Sequence, residues 1–262
     1  MSQPPPSGLS LASIRPLVRY VDQDLAVVDT HFRLRPSLLG TGRDRDPNPA
    51  VTVHVEIQGD RGFFDEGDTA MRVRDGGGSV RFELHAPERW WPAGMGDQSL
   101  YTVKLALLAS DHQLLDEQEV TFGLNSVRRD RALGQELPPV LLVNGRICEV
   151  RDVLIVDHAD AAALLPATGE SLLLVRDHYG DQTLYDAADR AGILLVQSVP
   201  IDRDGTPSLA VRNQLDRLAS HPCLAGYFVG HLGPLSERVE HALRELDPTR
   251  AVFRRFPLDE AA

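Results

Sequence analysis

Residues 224–232 read LAGYFVGHL, an unbroken apolar run that closes on Gly230 and is followed by His231 and Leu232. A strand buried on one face alternates apolar and polar residues, whereas a run without alternation fits a strand buried on both faces of a parallel sheet. Four more runs of this kind follow Pro138-Pro139: Val153 to Val156, Leu172 to Val175, Ile193 to Val196 and Ala251 to Phe253. Helical signals separate them. Asp181 can cap a helix that runs through Ala191 and stops at Gly192, and a second helix is expected over residues 208–220. Leu235, Val239, Ala242, Leu243 and Leu246 fall at i, i+4, i+7, i+8 and i+11 of a third. Strand and helix in alternation predict right-handed β-α-β units. Before these runs, Leu141 to Val143 and Ile147 onward flank Asn144-Gly145, a strong hairpin turn signal.

From about residue 15 to 130 the period is two. Val51, Val53, Val55 and Ile57 alternate with Thr52, His54 and Glu56, and Val80, Phe82 and Leu84 alternate with Arg81 and Glu83. Tyr101, Val103, Leu105 and Leu107 repeat the pattern, as do Val28, Thr30, Phe32 and Leu34, and residues 119–124 predict one strand more. Short half-buried strands at this spacing point to an antiparallel sandwich of immunoglobulin-like type. The glycines at 76 to 78 lack the helix and lysine of a phosphate loop, so a hairpin connection is expected there. The expected organisation is a flexible N-terminus over 1–14, a sandwich over 15–135 and an α/β domain over 136–262.

The formal net charge of −11 argues against nucleic-acid and anionic-membrane partners, which require clustered Lys and Arg. The opening residues MSQPPPSGLS carry no signal-peptide pattern, and no stretch approaches the ~20 apolar residues of a membrane span, so a cytoplasmic location is expected. Cys148 and Cys223 each stand in an apolar run and are expected as buried thiols.

The stretch Arg89-Trp90-Trp91-Pro92-Ala93-Gly94, with Gln98, Leu100 and Tyr101, resembles the end of the immunoglobulin-like domain of family 2 glycoside hydrolases. The resemblance continues through Phe122-Gly123 with Arg128, and through Leu142-Val143-Asn144-Gly145-Arg146, which is similar to the hairpin that opens the family's catalytic barrel. Further on it covers Val175-Arg176 with His178-Tyr179, Leu184-Tyr185-Asp186 with Asp189, Gly192 and Ile193, then His221-Pro222 with Tyr227 to Gly230, and Leu246-Asp247-Pro248-Thr249-Arg250. No single fragment is specific, but their order and spacing are. The resemblance implies a sandwich followed by the first five strands or so of a (β/α)8, or TIM, barrel.

Family members read Gly-Asn-Glu at the end of the fourth barrel strand, the glutamate being the general acid/base of a retaining mechanism. The asparagine position here holds His231 and the glutamate position Leu232. Retention needs two carboxyl groups roughly 5 Å apart. The family's second carboxylate comes from near a seventh strand, and this sequence closes shortly after the fifth. The expectation is therefore a protein of carbohydrate metabolism with no catalytic residue and no cofactor, acting in carbohydrate-related binding or scaffolding.

Polar residues still gather at the predicted strand ends: Asp157 and His158 after the first, Arg176, Asp177, His178 and Tyr179 after the second, His231 after the fourth. In a barrel these ends share one mouth, so the set is a candidate sugar-facing cluster. A metal site is chemically possible with three histidines and two aspartates, but no closely spaced ligand pair supports it, and relic polar residues are the favoured reading. Arg176 can hold a sugar hydroxyl or a carboxylate, or pair with Asp157 or Asp177; the pair is favoured. Trp90 and Trp91 can stack on a sugar or pack between domains; packing is favoured. Two other readings remain open. One is an active hydrolase in which Asp157, Asp177 or Glu237 replaces the missing carboxylates. The other is an interaction module in which a second copy or a partner chain covers the open barrel edge.

Overall fold

The computed structural model describes residues 9–35, 48–129, 140–156, 159–164, 167–176, 178–200, 209–230 and 236–254. The chain forms two compact units that interleave in sequence. The first takes in Met1–Leu17, Val27–Glu83 and Leu100–Phe122, and the second Val18–Ala26, Leu84–Ser99 and Gly123–Ala262. No described helix is long and apolar enough to cross a membrane.

Seven strands build two sheets of the first unit: β1 (Ser10–Val21), β2 (Leu25–Arg35), β3 (Ala50–Gly59), β4 (Phe64–Arg72), β5 (Gly77–His85), β6 (Tyr101–Ala109) and β7 (Leu114–Phe122). Their order is β1-β2-β5 in one sheet and β4-β3-β6-β7 in the other. The period-two residues realise the expected faces. Val53, Val55 and Ile57 lie opposite Leu107, Leu105 and Val103 in an antiparallel register, and all six are fully buried. Each such side chain contributes about 1.5–3 kcal/mol of burial free energy. Gly67 of β4 lies against Val80 and Phe82 of β5, where the two sheets face each other.

Three expectations change here. Strand β1 starts at Ser10, inside the stretch read as a flexible N-terminus. Arg15, Pro16 and Arg19 interrupt its alternation, which an edge strand tolerates. Asp116 and Gln118 of β7 also tie it down, the Leu11 amide donating to Asp116 Oδ2 at 2.8 Å and Gln118 Nε2 to the Leu11 carbonyl at 2.9 Å. Strand β7 begins at Leu114, well before residue 119. Finally, the glycines at 76 to 78 do not close a hairpin, because β4 and β5 belong to different sheets. Gly76 turns with φ 73°, and a Cβ on Gly77 would stand 2.3 Å from the Phe32 carbonyl oxygen of β2. The run lets the chain cross from sheet to sheet while pressing against β2.

In the second unit, β8 (Val127–Arg129), β9 (Leu141–Val143) and β10 (Arg146–Cys148) form an antiparallel sheet. Asn144 and Gly145 both have positive φ, 50° and 80°, as the expected two-residue hairpin turn requires. Five strands then pair in parallel in chain order: β11 (Asp152–Val156), β12 (Ser171–Val175), β13 (Leu194–Ser198), β14 (Leu224–Phe228) and β15 (Ala251–Phe253). Every residue of β12 and β14 is buried, which is why those runs do not alternate. Helices α1 (Gln182–Ala191), α2 (Leu209–Leu218) and α3 (Ser236–Leu246) follow β12, β13 and β14. Between β11 and β12 the described residues hold only a 3-10 turn, Ala161–Leu164.

Asp181 occupies the N-cap of α1 in extended conformation, as expected, but its side chain makes no capping hydrogen bond. Gly192 ends the helix at φ 70°, and its carbonyl accepts from the Ala93 amide at 2.9 Å. A Cβ at Gly192 would meet the Ala93 nitrogen at 2.5 Å, so close approach as well as handedness selects glycine.

Candidate functional site

Ligands of parallel α/β sheets gather at the carboxyl ends of the strands, where loops lead away from a rigid scaffold. Of the seven residues expected there, the described residues include Arg176, His178 and Tyr179. Asp157, His158, Asp177 and His231 lie outside the described residues, as does Leu232. The partners expected for Arg176, Asp157 and Asp177, are thus outside them too.

The three described residues leave β12 in a tight arrangement. His178 Nδ1 donates to the Arg176 carbonyl at 2.8 Å, and in the neutral ring this leaves the lone pair on Nε2. Among the described residues Nε2 is buried without a hydrogen-bond partner, and so is the hydroxyl of Tyr179, one residue on. Burial pushes the Tyr179 phenol above its ordinary pKa, so it stays protonated and able to donate. An unsatisfied buried polar atom costs about 1–3 kcal/mol, so two neighbouring ones at a strand end suit a ligand bearing hydroxyl groups.

Gln197, the penultimate residue of β13, holds this corner and was not singled out in the sequence. It is fully buried, and its Nε2 donates to the His178 carbonyl at 2.9 Å and to the Ser198 carbonyl at 2.7 Å. Its Oε1 accepts from the Tyr185 hydroxyl of α1. A polar residue directly after the apolar run 193–196 was the available signal. Arg217 of α2 closes the far side, with Nη2 on the Gly180 carbonyl at 2.9 Å and its guanidinium 5.3 Å from the centre of the Tyr185 ring.

A second polar cluster lies deeper. His221 Nδ1 is 2.6 Å from Asp189 Oδ2, and the Cys223 amide donates to Asp189 Oδ1 at 2.9 Å. Gln182 Nε2 is 2.9 Å from His221 Nε2. Asp189, His221 and Cys223 offer potential ligand atoms within 4.8 Å of one another. These atoms are already engaged with each other, and burial together with the Asp189 carboxylate pushes the Cys223 thiol well above its ordinary range. The cluster ties α1 to the start of β14. Cys148 is likewise a buried free thiol, pushed up to about 11 by desolvation.

Trp90 is fully buried in the second unit, donating from Nε1 to the Asp189 carbonyl at 2.7 Å. The Arg89 and Arg146 guanidiniums each lie 5.1 Å from the centre of the Trp91 ring. Tyr227 is core, as expected, and donates to Asp247 Oδ2 at 2.8 Å.

Residues 41–124 match the sequence profile of glycosyl hydrolases family 2. That segment, about a third of the chain, is thus similar to family 2 of the glycosyl hydrolases. It contains the Trp90-Trp91-Pro92 element and ends at Leu124, just after Phe122-Gly123. No curated protein matches the chain. Among solved structures, a glycosyl hydrolase family 2 member from Bacteroides cellulosilyticus superposes with TM-score 0.68 at 18% identity, covering 94% of this chain and 36% of that one. A β-glucuronidase of Bacteroides uniformis gives TM-score 0.67 at 16% identity over 95% of this chain and 34% of its own. An exo-chitosanase of Amycolatopsis orientalis gives TM-score 0.69 at 18% identity, over 96% and 33% respectively. The likeness at these identities is one of fold, and it runs from the family 2 segment through the parallel sheet. The chain spans about a third of the length of these structures.

Proposed function

We propose that the chain is a non-catalytic, carbohydrate-binding relative of family 2 glycoside hydrolases, built as an immunoglobulin-like sandwich followed by the opening strands of a (β/α)8 barrel. The observation that carries this reading is the end of β14. Gly230, at φ 66°, follows a fully buried parallel strand, and the next residues are His231 and Leu232 where the family resemblance places an asparagine and the acid/base glutamate.

A retaining glycosidase protonates the leaving oxygen from one carboxyl group and attacks the anomeric carbon with another. A leucine side chain neither donates nor accepts a proton. Loss of general acid catalysis alone removes about two to four orders of magnitude in rate. What remains at the strand ends supports binding: the His178 Nε2 lone pair can accept from a sugar hydroxyl, and the Tyr179 hydroxyl can donate to one or accept from one. Gln197 keeps both in place through the His178 carbonyl.

Isothermal titration with mono- and oligosaccharides tests the reading. Heat is expected at millimolar sugar, with about tenfold weaker binding for His178→Ala, the equivalent of one hydrogen bond of about 1.4 kcal/mol. Absence of heat with every sugar would remove the binding function and leave scaffolding alone.

A further inference from the structure

In the first unit, the outer face of β3 and β4 carries a set of side chains that the glycosidase resemblance does not use. Antiparallel register places His54 opposite Asp68 and Glu56 opposite Glu66, so four polar side chains share one face of two adjacent strands. His54 Nδ1 is 2.8 Å from Asp68 Oδ1. His54 Nε2 points the other way, 3.3 Å from Glu56 Oε1 and 3.8 Å from Glu66 Oε2.

We propose that His54, Glu56 and Glu66 form a binding site for one divalent transition-metal ion of the zinc type, with Asp68 as the positioning residue for His54. The three ligand atoms lie within 4.8 Å of one another. Around a tetrahedral ion with bonds of about 2.0–2.1 Å, neighbouring ligand atoms stand about 3.3 Å apart, and the two separations from His54 Nε2, 3.3 and 3.8 Å, already lie near that value. A carboxylate holding the second ring nitrogen is the usual outer-shell arrangement of a metal-bound histidine, since it fixes the tautomer that leaves Nε2 free to coordinate. Asp68 supplies it. The imidazole ligand selects zinc-like ions over magnesium and calcium, which take oxygen donors. Half-exposure of His54 and Glu56 leaves a position open to water, and the strand backbones supply rigidity that a loop site lacks.

The site would also act on stability. No residue of β4 is buried, so this edge strand is held by its ladder to β3 alone among strands of its sheet. A metal bridging Glu66 to His54 and Glu56 would clamp it.

Equilibrium dialysis of the full chain against zinc chloride, with cobalt(II) absorption as a second readout, tests the assignment. One ion is expected to bind with cobalt bands of nitrogen and oxygen ligation and no thiolate charge-transfer band. His54→Ala should weaken binding at least 100-fold and Asp68→Asn about tenfold, the effect expected of an outer-shell partner. Both positions lie on an outward sheet face, so the variants should keep wild-type far-UV spectra. Zinc binding unchanged in His54→Ala, magnesium binding as tightly as zinc, or a thiolate band in the cobalt spectrum would each overturn the proposal.

Discussion

Trp90→Ala is expected to lower stability by about 3–5 kcal/mol, the range for deleting a fully buried aromatic side chain. Three connections beyond volume meet at this residue. Its Nε1 donates to the Asp189 carbonyl at 2.7 Å, its amide donates to the Leu124 carbonyl at 2.9 Å, and its own carbonyl accepts from Asn144 Nδ2 at 2.9 Å. Only the first is lost on truncation, but the cavity opens beside the segment of α1 whose Asp189 holds His221 and Cys223. Trp90→Phe separates the contributions, because it keeps most of the apolar volume while leaving the Asp189 carbonyl unpaired, at a cost of about 1–3 kcal/mol. Urea denaturation reads both variants from the shift in midpoint at constant slope. A Trp90→Ala midpoint equal to wild type would show that this side chain does not hold the second unit together.

Gly226→Ala is the second large effect, on the order of 3 kcal/mol, at the upper end of the cost of overpacking. Gly226 pairs with Val196 of β13 on one side and Ala251 of β15 on the other. An added Cβ would stand 2.2 Å from the Ala251 carbonyl oxygen and 2.8 Å from the Phe253 ring. The first of these is backbone and cannot turn aside, so β15 must shift away from β14. Loss of stability with early exposure of the 251–253 strand to amide hydrogen exchange is the expected signature. A fully stable alanine variant would contradict the registered pairing of these two strands.

The physical origin of each strand decides how visible it was in the sequence. Strands β3 and β6 have one wet and one dry face, and their alternation stated both the strand and the face. Strand β4, FDEGDTAMR, buries nothing and so carries no apolar period to read. Strand β1 was hidden by Arg15, Pro16 and Arg19, which an edge position permits. The parallel strands were plain because burial on both faces demands continuous apolar residues, and the helices between them followed from period and stop signals.

Polar networks were less legible than strands, since their members are far apart in the chain. Asp189 and His221 meet across 32 positions, and Gln197 reaches back to the loop after β12. Pairings of that span depend on how the sheet is assembled, and local pattern does not encode them. His178 and Tyr179 were expected at a site because they directly follow a strand whose end could be read, and among the described residues each carries a buried atom without a hydrogen-bond partner. The outer-face set around His54 was visible only as the polar half of an alternation, and its meaning depends on register with a strand the sequence did not reveal.

On the proposed reading Leu232 stands where family 2 enzymes carry the acid/base glutamate, and the most direct test is turnover of a panel of nitrophenyl glycosides by the purified protein, with and without added zinc. No release of nitrophenol above the buffer rate is expected for any sugar, metal present or absent. Turnover of any one glycoside, abolished by His231→Ala or by replacement of Asp157, Asp177 or Glu237, would contradict it.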